Sequence, residues 1–103
     1  MTDERTKADR FTEALGAEVD SAFKKLASEI FKEGALTVKD KALIALACSV
    51  AVRCESCIQV NRGRAQTAGA SQEEIPEAAA LAGLVRLGSG FNAASVLLEG
   101  MEV

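Results

Sequence analysis

The sequence predicts an all-α domain, and three observations support that prediction. Apolar residues recur three or four positions apart along most of the chain, as they do on helices that pack by one face. No segment shows the alternation of apolar and polar residues that is typical of strands. Glycines and capping residues divide the chain into helix-length segments. With 103 residues, the chain suits one domain over residues 1–103, of which the polar residues 1–6 are expected to fray.

The first predicted helix covers residues 8–31. Its apolar positions fall on one face of an amphipathic helix, whereas most charged side chains lie off that face. These apolar positions are Phe11, Leu15, Val19, Phe23, Leu26 and Ile30. The pattern breaks at residues 33–35, which include Gly34, so we expect the helix to end before them.

A second helix is predicted to begin after Thr37. Thr37 and Asp40 have the spacing of a capping box, with the shorter Asp in place of Glu or Gln. Residues 42–52 are apolar on all sides of a helix, and such a helix is buried on all sides. In so small a domain, this indicates burial in a subunit interface as well as in the core. We expect a break near Arg53, where the apolar run gives way to polar residues.

The remaining predicted helices are marked by glycines and a further capping box. The helix after the break is expected to end before Gly69, which suits a C-cap position. Ser71 with Glu74 predicts a capping box at the start of the next helix. The glycine-rich residues 88–90 are expected to end that helix, and residues 91–98 to form a short last one.

Composition and charge exclude several classes of partner. The four aromatic residues are all Phe, so the core must be filled by small aliphatic side chains, and we expect a homo-oligomer to supply part of the stability. The net charge is −3 and Lys and Arg do not cluster, so nucleic-acid binding is not expected. Residues 42–52 are shorter than the roughly 20 apolar residues that span a bilayer, so no membrane partner is expected. The polar N-terminus lacks a secretory pattern, which favours a cytoplasmic location.

The absence of histidine limits the chemistry that the chain can perform. It excludes Ser–His and Cys–His couples, a histidine proton shuttle and histidine-ligated metals within the chain. Only three cysteines are present, whereas structural zinc takes four ligands, so we expect no metal and no cofactor. Cys48 lies at the end of the predicted buried helix and is expected to be a small buried hydrophobe.

Cys54 and Cys57 form the motif that most directly predicts chemistry. Two cysteines with two residues between them can form a disulfide when the second lies in the first turn of a helix. The unpaired N–H groups and the dipole at that helix end stabilise a thiolate and lower its pKa. Arg53 would add to this effect and Glu55 would oppose it. One thiolate then attacks a substrate and the other resolves the mixed species as a disulfide. Two inert cysteines in a helical core remain the alternative.

Four segments in a fixed order resemble the alkylhydroperoxidase D-like branch of the carboxymuconolactone decarboxylase family. They are residues 39–47, 53–58, 69–75 and 87–90, and the similarity covers about residues 36–99. The resemblance implies an all-α fold that assembles as a homotrimer or homohexamer, with the dithiol near subunit contacts. It also implies a cysteine-based reductase for a peroxide or disulfide, supplied with electrons by a thiol or lipoyl donor. By the same resemblance, Cys57 attacks peroxide and Cys54 resolves it.

The sequence departs from the family's peroxidase pattern at two positions. The family's proton relay has a His four residues after the second cysteine, where this chain has Asn61, and a Glu twelve residues before the first, where it has Ala42. General-base help is worth roughly 10²–10⁴-fold in rate, and neither residue supplies it. The sequence therefore favours a thiol–disulfide oxidoreductase with weak or no peroxidase activity. A non-catalytic member acting as a binding or assembly module is an alternative, as is a carboxymuconolactone decarboxylase-like lyase, which the absence of His disfavours.

Overall fold

The computed structural model describes residues 6–101, and these form helices joined by short connections. There are five α-helices and a final 3-10 turn, and no strand occurs within this range. The elements are α1 (Lys7–Leu15), α2 (Ala17–Phe31), α3 (Val38–Ala51), α4 (Glu55–Thr67), α5 (Glu74–Ala94) and the 3-10 turn Ser95–Leu98. The predicted all-α class is confirmed. Of the segment expected to fray, residues 1–5 lie outside the described range, whereas Thr6 is ordered as the N-cap of α1.

The single helix predicted over residues 8–31 is wrong, because the chain breaks at Gly16. Gly16 has φ = 116°, a backbone conformation that glycine adopts without steric cost. Its N–H donates to the Glu13 carbonyl at 3.2 Å, and its own carbonyl accepts from Asp20 N–H at 3.0 Å. One glycine therefore ends α1 and begins α2. The apolar spacing continues across the break, so periodicity alone could not reveal it.

Polar side chains hold α1 against α2. The Thr12 hydroxyl donates to Asp20 Oδ1 at 2.8 Å, and Thr12 is buried. Lys24 Nζ lies 3.0 Å from Asp20 Oδ2 and 3.3 Å from Glu13 Oε1. The hydrogen bond from Thr12 and then the bond from Lys24 lower the pKa of Asp20 below its ordinary value. We call α1 and α2 the N-terminal helix pair.

Helices α3, α4 and α5 form the three-helix body. Its buried apolar residues are Ala42 and Leu46 of α3, Ala65 of α4 and Ala82 of α5. Three of these four are alanines, which allow the helices to approach closely but bury little area each. Only one face of α3 is buried within the chain, since Ile44 is 50% exposed. The expected burial on all sides is therefore not achieved by the single chain.

The predicted helix starts of the body are confirmed in most details. Asp40 N–H donates to Thr37 Oγ1 at 3.1 Å, so one of the two predicted capping-box bonds is present. Both bonds of the second box are formed, with Ser71 N–H to Glu74 Oε1 at 2.8 Å and Glu74 N–H to Ser71 Oγ at 3.0 Å. Glu74 also pairs with Lys39 of α3 at 3.0 Å. The Ser71 N–H, followed by Lys39, lowers the pKa of Glu74.

The predicted helix end at residues 88–90 is wrong, because α5 continues to Ala94. Glycine inside a helix costs about 1 kcal/mol relative to alanine, which weakens a helix without ending it. The apolar residues on either side keep the helical period, and the separate last helix expected over residues 91–98 reduces to the turn Ser95–Leu98. The helix end expected near Gly69 is confirmed, since α4 ends at Thr67 and Gly69 has φ = 94°.

The described chain is elongated and leaves much apolar surface exposed. Its radius of gyration is 17.8 Å, whereas a compact chain of about 100 residues has about 13 Å. Lys41 Nζ ties the end of α2 to α3 by donating to the Ile30 and Lys32 carbonyls at 2.8 and 2.6 Å. The large apolar side chains of α5 are largely exposed, as Val85 at 67% illustrates. Large exposed apolar patches mark contact sites for proteins, ligands or membranes.

The α5 region bears on the expected absence of a membrane span. Among the described residues, Glu74–Leu98 is long and apolar enough to cross a bilayer, with 25 residues and a mean hydropathy of 1.4. The earlier expectation considered only residues 42–52 and overlooked this stretch. Length and composition alone are weak evidence for a membrane span, since helices that pack in protein cores share them.

Candidate functional site

The junction between α3 and α4 positions the predicted dithiol. Helix α3 ends in a Schellman motif, in which Arg53 N–H donates to the Val50 carbonyl and Cys54 N–H to the Ser49 carbonyl, both at 3.0 Å. Arg53 lies in the left-handed region with φ = 58°, where glycine is the usual residue. The predicted break near Arg53 is confirmed, and it leaves Cys54 bonded to the end of α3 and at the start of α4.

Cys54 is the N-cap residue of α4. Its Sγ accepts a hydrogen bond from Cys57 N–H at 3.2 Å, and it lies 3.6 Å from Ser56 Oγ. Cys54 and Cys57 are joined as a disulfide with Cα atoms 5.1 Å apart, and both are half-buried. The predicted pairing is confirmed, whereas the chemical roles of the two sulfurs stay predictions.

A cavity of about 700 Å³ opens beside the disulfide. One wall is a half-buried face of α4, and the other is the N-terminal helix pair. From the body it is lined by Cys54, Ser56, Cys57, Val60, Asn61 and Arg64. From the helix pair it is lined by Thr6, Lys7, Ala8, Asp9, Phe23, Lys24, Ala27, Ser28 and Phe31. The dithiol therefore lies at the seam between the two regions, which is a place where small molecules commonly bind.

Asn61 lies in this cavity one turn after Cys57, as the spacing predicts. Its Nδ2 donates to Ser49 Oγ at 2.8 Å, and that hydroxyl donates to the Ala45 carbonyl at 2.7 Å. Its Oδ1 accepts from Arg64 Nη1 at 2.8 Å. Asn61 is thus held in one orientation by a hydrogen-bond network, and its amide cannot accept a proton at neutral pH.

Ala42, the other position singled out from the sequence, lies away from the cavity. It is fully buried in the core of the body and is absent from the cavity wall. A methyl group there packs against neighbouring helices and exchanges no proton. The structure therefore brings Cys54, Cys57 and Asn61 together and leaves Ala42 apart.

Arg64 is a site residue that the sequence did not single out. Its guanidinium lies over the Phe31 ring at 4.0 Å from the centroid and so connects α4 to α2 across the cavity. The sequence allows Arg62 and Arg64 at the mouth of a pocket but favours a solvent-facing role for both. Arg64 lines the cavity and is also exposed, whereas Arg62 does not line it. The helical spacing offered a signal, since Cys57, Val60, Asn61 and Arg64 follow the i, i+3, i+4, i+7 pattern of one helix face.

Cys48 and metal binding complete the account of the cysteines. Cys48 is a free and exposed thiol on α3, so the expectation that it is buried is wrong for the single chain. It does not line the cavity. Within residues 6–101, no cluster of three or more Cys, Asp or Glu side chains is arranged to hold a metal ion.

Comparisons with known proteins identify relatives of the whole domain. The profile of the carboxymuconolactone decarboxylase family matches residues 17–99. A Paracoccus denitrificans protein described as uncharacterized protein 4 in the cox locus is 36% identical over 91 residues, covering 88% of this chain and 82% of that protein. A crystal structure of a Methanobacterium thermoautotrophicum protein has a TM-score of 0.81 and 46% identity, covering 88% of this chain and 98% of the other. The chain therefore belongs to the carboxymuconolactone decarboxylase family.

Proposed function

We propose that this protein is a thiol–disulfide oxidoreductase that uses Cys54 and Cys57 as an exchanging dithiol. The observation that carries the proposal is the position of the pair, at the N-terminus of α4 and on the wall of a cavity. A helix N-terminus stabilises a thiolate by its N–H groups and its dipole. The disulfide form requires only a thiolate as partner, which is the chemistry of exchange.

The hydrogen bonding around the pair favours Cys54 as the stabilised thiolate. Cys54 Sγ accepts the Cys57 N–H bond, and Ser56 Oγ lies near enough to donate a second one. The reverse order, with Cys57 attacking, is what the family resemblance implies, and it depends on a base one turn after Cys57. Asn61 occupies that position and is bonded to Ser49 and Arg64. We therefore assign the attack to Cys54 and the resolving step to Cys57.

The same neighbourhood supports exchange over fast peroxide reduction. Peroxide reduction needs a proton delivered to the leaving oxygen, and no Asn61 or Ala42 side chain can hold that proton. In disulfide exchange the leaving group is a thiolate, which needs no proton in order to depart. We expect any alkylhydroperoxidase activity of the same two cysteines to be slow.

We further propose that the working form is a homo-oligomer in a reducing, cytoplasmic setting. The exposed apolar faces of α2 and α5 and the extended shape of the chain support a second copy as the covering partner. Small residues along α5, including Gly83 and Gly88, would allow helices of two copies to approach closely. In a reducing compartment, a thiol or lipoyl donor would return the disulfide to the dithiol.

Exchange kinetics test the proposal. The reduced protein is mixed with the neutral hydroxyethyl disulfide, and the rate of mixed-disulfide formation is compared for Cys54→Ser, Cys57→Ser and Cys48→Ser. We expect Cys48→Ser to react as the wild type, Cys54→Ser to lose the fast reaction by at least about tenfold, and Cys57→Ser to stop at the mixed disulfide. If both Cys54 and Cys57 react no faster than free cysteine, the exchange function is wrong. If only Cys57→Ser loses the fast attack, the roles are reversed.

A non-catalytic binding module is the second candidate. It is favoured by the two relay positions, which hold Ala42 and Asn61 in place of groups that move protons. In that case the disulfide would be a structural clamp on the first turn of α4. A wild-type midpoint potential far below that of glutathione, together with unchanged partner binding in the Cys54→Ser/Cys57→Ser variant, would favour this candidate.

A further inference from the structure

We propose that Arg64 is a carboxylate-binding residue, so that the cavity selects disulfides with an apolar body and a carboxylate at one end. This inference deepens the proposed function and rests on it for the reaction. It does not rest on it for binding, because the cavity exists in the disulfide form of the protein. The proposal assigns the substrate class that the dithiol serves.

Arg64 and the dithiol lie on one face of α4, at a fixed separation. Arg64 is seven residues after Cys57, which is about 10 Å along a helix axis. Helical side chains lean toward the N-terminus, and the bond from Arg64 Nη1 to Asn61 Oδ1 shows that this one does. The guanidinium therefore lies within about 10 Å of the disulfide. A ligand of medium length can present a sulfur to the dithiol and a carboxylate to Arg64 at once.

Within residues 6–101, Arg64 and Lys7 are the cavity cations without an ion pair, and of the two Arg64 lies on the same helix as the dithiol. Lys24 already pairs with Asp20 and Glu13. Within residues 6–101, no carboxylate lies at ion-pair distance from Arg64, which bonds only the neutral Asn61 amide and the Phe31 ring. A guanidinium has five N–H donors, and one is used here. The others remain for a carboxylate, which a guanidinium binds with two parallel hydrogen bonds.

Two neighbours hold the guanidinium in place before any ligand arrives. Phe31 supports one face of the group, and Asn61 fixes one edge. An anchor that is already ordered loses less conformational entropy on binding than a free side chain does. Asn61 is itself held by Ser49, which is buried, so the anchor is braced from the core of the body.

The rest of the cavity suits an apolar body with a negative end. Phe23, Ala27 and Val60 supply apolar surface on the cavity wall. The N-termini of α1 and α4 both face the cavity, and their dipoles favour an anion. Asp9 is the acidic group on the wall, and its carboxylate accepts from Thr6 N–H at the α1 cap. Lys7 lies on the same wall and offsets it.

The reaction balances with the disulfide substrate as oxidant. The Cys54 thiolate attacks one substrate sulfur, the substrate S–S bond breaks, and one thiolate leaves. Cys57 loses its proton to water and attacks Cys54 Sγ, which releases the second thiolate and forms the protein disulfide. Two electrons pass from the protein to the substrate, and one proton, that of Cys57, passes to solvent, because Cys54 begins as a thiolate. Throughout both steps, Arg64 holds the carboxylate and takes no part in the electron transfer.

Binding to the disulfide form tests the anchor without any redox chemistry. The oxidised protein is titrated with octanoate and with octanamide, and binding is followed by amide NMR shifts. We expect octanoate to bind at least about fivefold more tightly than octanamide to the wild type, and this preference to vanish in Arg64→Gln. Arg62→Gln is the matched control, because Arg62 is exposed on the same helix and does not line the cavity. An equal loss in Arg62→Gln, or no preference in the wild type, overturns the inference.

Exchange kinetics test the selection during turnover. In a Cys48→Ser background, the reduced protein reacts with the dithiobis-nitrobenzoate reagent, which carries carboxylates, and with the neutral dithiodipyridine reagent. The ratio of the two rate constants cancels the reactivity of the thiolate itself. We expect Arg64→Gln to lower this ratio about tenfold, Arg64→Lys to restore part of it, and added salt to lower it only where a cation is present. An unchanged ratio in Arg64→Gln overturns the inference, whereas failure of both reagents to outpace free cysteine refutes the proposed function and leaves the binding result to decide.

Discussion

The N-terminal helix pair and the three-helix body differ in what holds them together. The body buries alanines and Leu46 between its helices, and the starts of all three helices and the end of α3 are capped. In the helix pair, the one buried residue is Thr12, which is polar. Phe11 and Leu26, on the apolar face of the pair, are 66% and 59% exposed. The body has the core of a small domain, and the pair has an apolar face that the chain itself leaves uncovered.

The cavity therefore has one stable wall, which is α4 of the body, and one less stable wall, which is the N-terminal helix pair. A helix of nine residues such as α1 is marginal alone, and each side-chain hydrogen bond adds only about 1 kcal/mol. The Arg64–Phe31 contact and the Lys41 bonds to the end of α2 are therefore important for closing the cavity. The N-terminal helix pair should therefore matter more for ligand binding than for the stability of the fold.

Leu46→Ala should have the largest effect, because it removes the main apolar side chain of the body. Leu46 is 2% exposed, and truncating a buried leucine costs about 2–5 kcal/mol. We expect the free energy of unfolding to fall by that amount at every protein concentration, measured by chemical denaturation.

Leu26→Ala is the matched control on the helix pair. At low protein concentration it should cost under about 1 kcal/mol, because the side chain is already exposed. If a second copy covers the apolar face of the pair, the stability lost in Leu26→Ala should rise with protein concentration. A cost as large as that of Leu46→Ala at all concentrations would contradict the division into a strong body and a weak pair.

The helical class and the caps of the body could be predicted from the sequence, whereas the separate helix pair depended on contacts that a pattern does not contain. The capping box of Ser71 and Glu74 and the break at Arg53 follow local rules, and both are confirmed. Gly16 breaks a helix whereas the glycines of α5 do not, although the sequence signals are alike. The helix breaks at Gly16 because the Thr12–Asp20 and Lys24–Asp20 contacts stabilise the turn there. Arg64 was likewise not singled out because its partner Phe31 lies on another helix.

Asp20→Asn should have a smaller effect that is confined to the helix pair. The hydrogen bond from Thr12 and the bond from Lys24 hold the pKa of Asp20 below its ordinary value. A depressed pKa means that this stabilisation is complete above the ordinary aspartate pKa, about 3.9, and is lost as the pH falls through the lower pKa of the folded protein. We expect amide exchange in residues 7–31 to accelerate in that acid range, while exchange in α3 and α5 stays slow.

In Asp20→Asn, the pair should already exchange faster at neutral pH and respond less to acid. Glu18→Gln removes a negative charge from the same helix without touching Thr12, so it should leave both behaviours unchanged. If acid accelerates exchange equally in the pair and in the body, the stabilisation is not local to Asp20, and the pair is not the weaker region.

Arg53→Gly should have the smallest effect and the opposite sign. Arg53 holds the left-handed conformation at the end of α3, which costs a non-glycine residue roughly 1–2 kcal/mol. Glycine removes that cost but adds freedom to the unfolded chain, so we expect a net gain of at most about 1 kcal/mol in the body. Arg62→Gly makes the same substitution inside α4 and should instead lose about 1 kcal/mol. If the two variants shift the denaturation midpoint in the same direction, backbone strain at Arg53 is not what the residue contributes. A gain in stability together with slower thiol–disulfide exchange would show that the Arg53 guanidinium supports the thiolate. The backbone strain beside Cys54 would then be the cost of placing that guanidinium there.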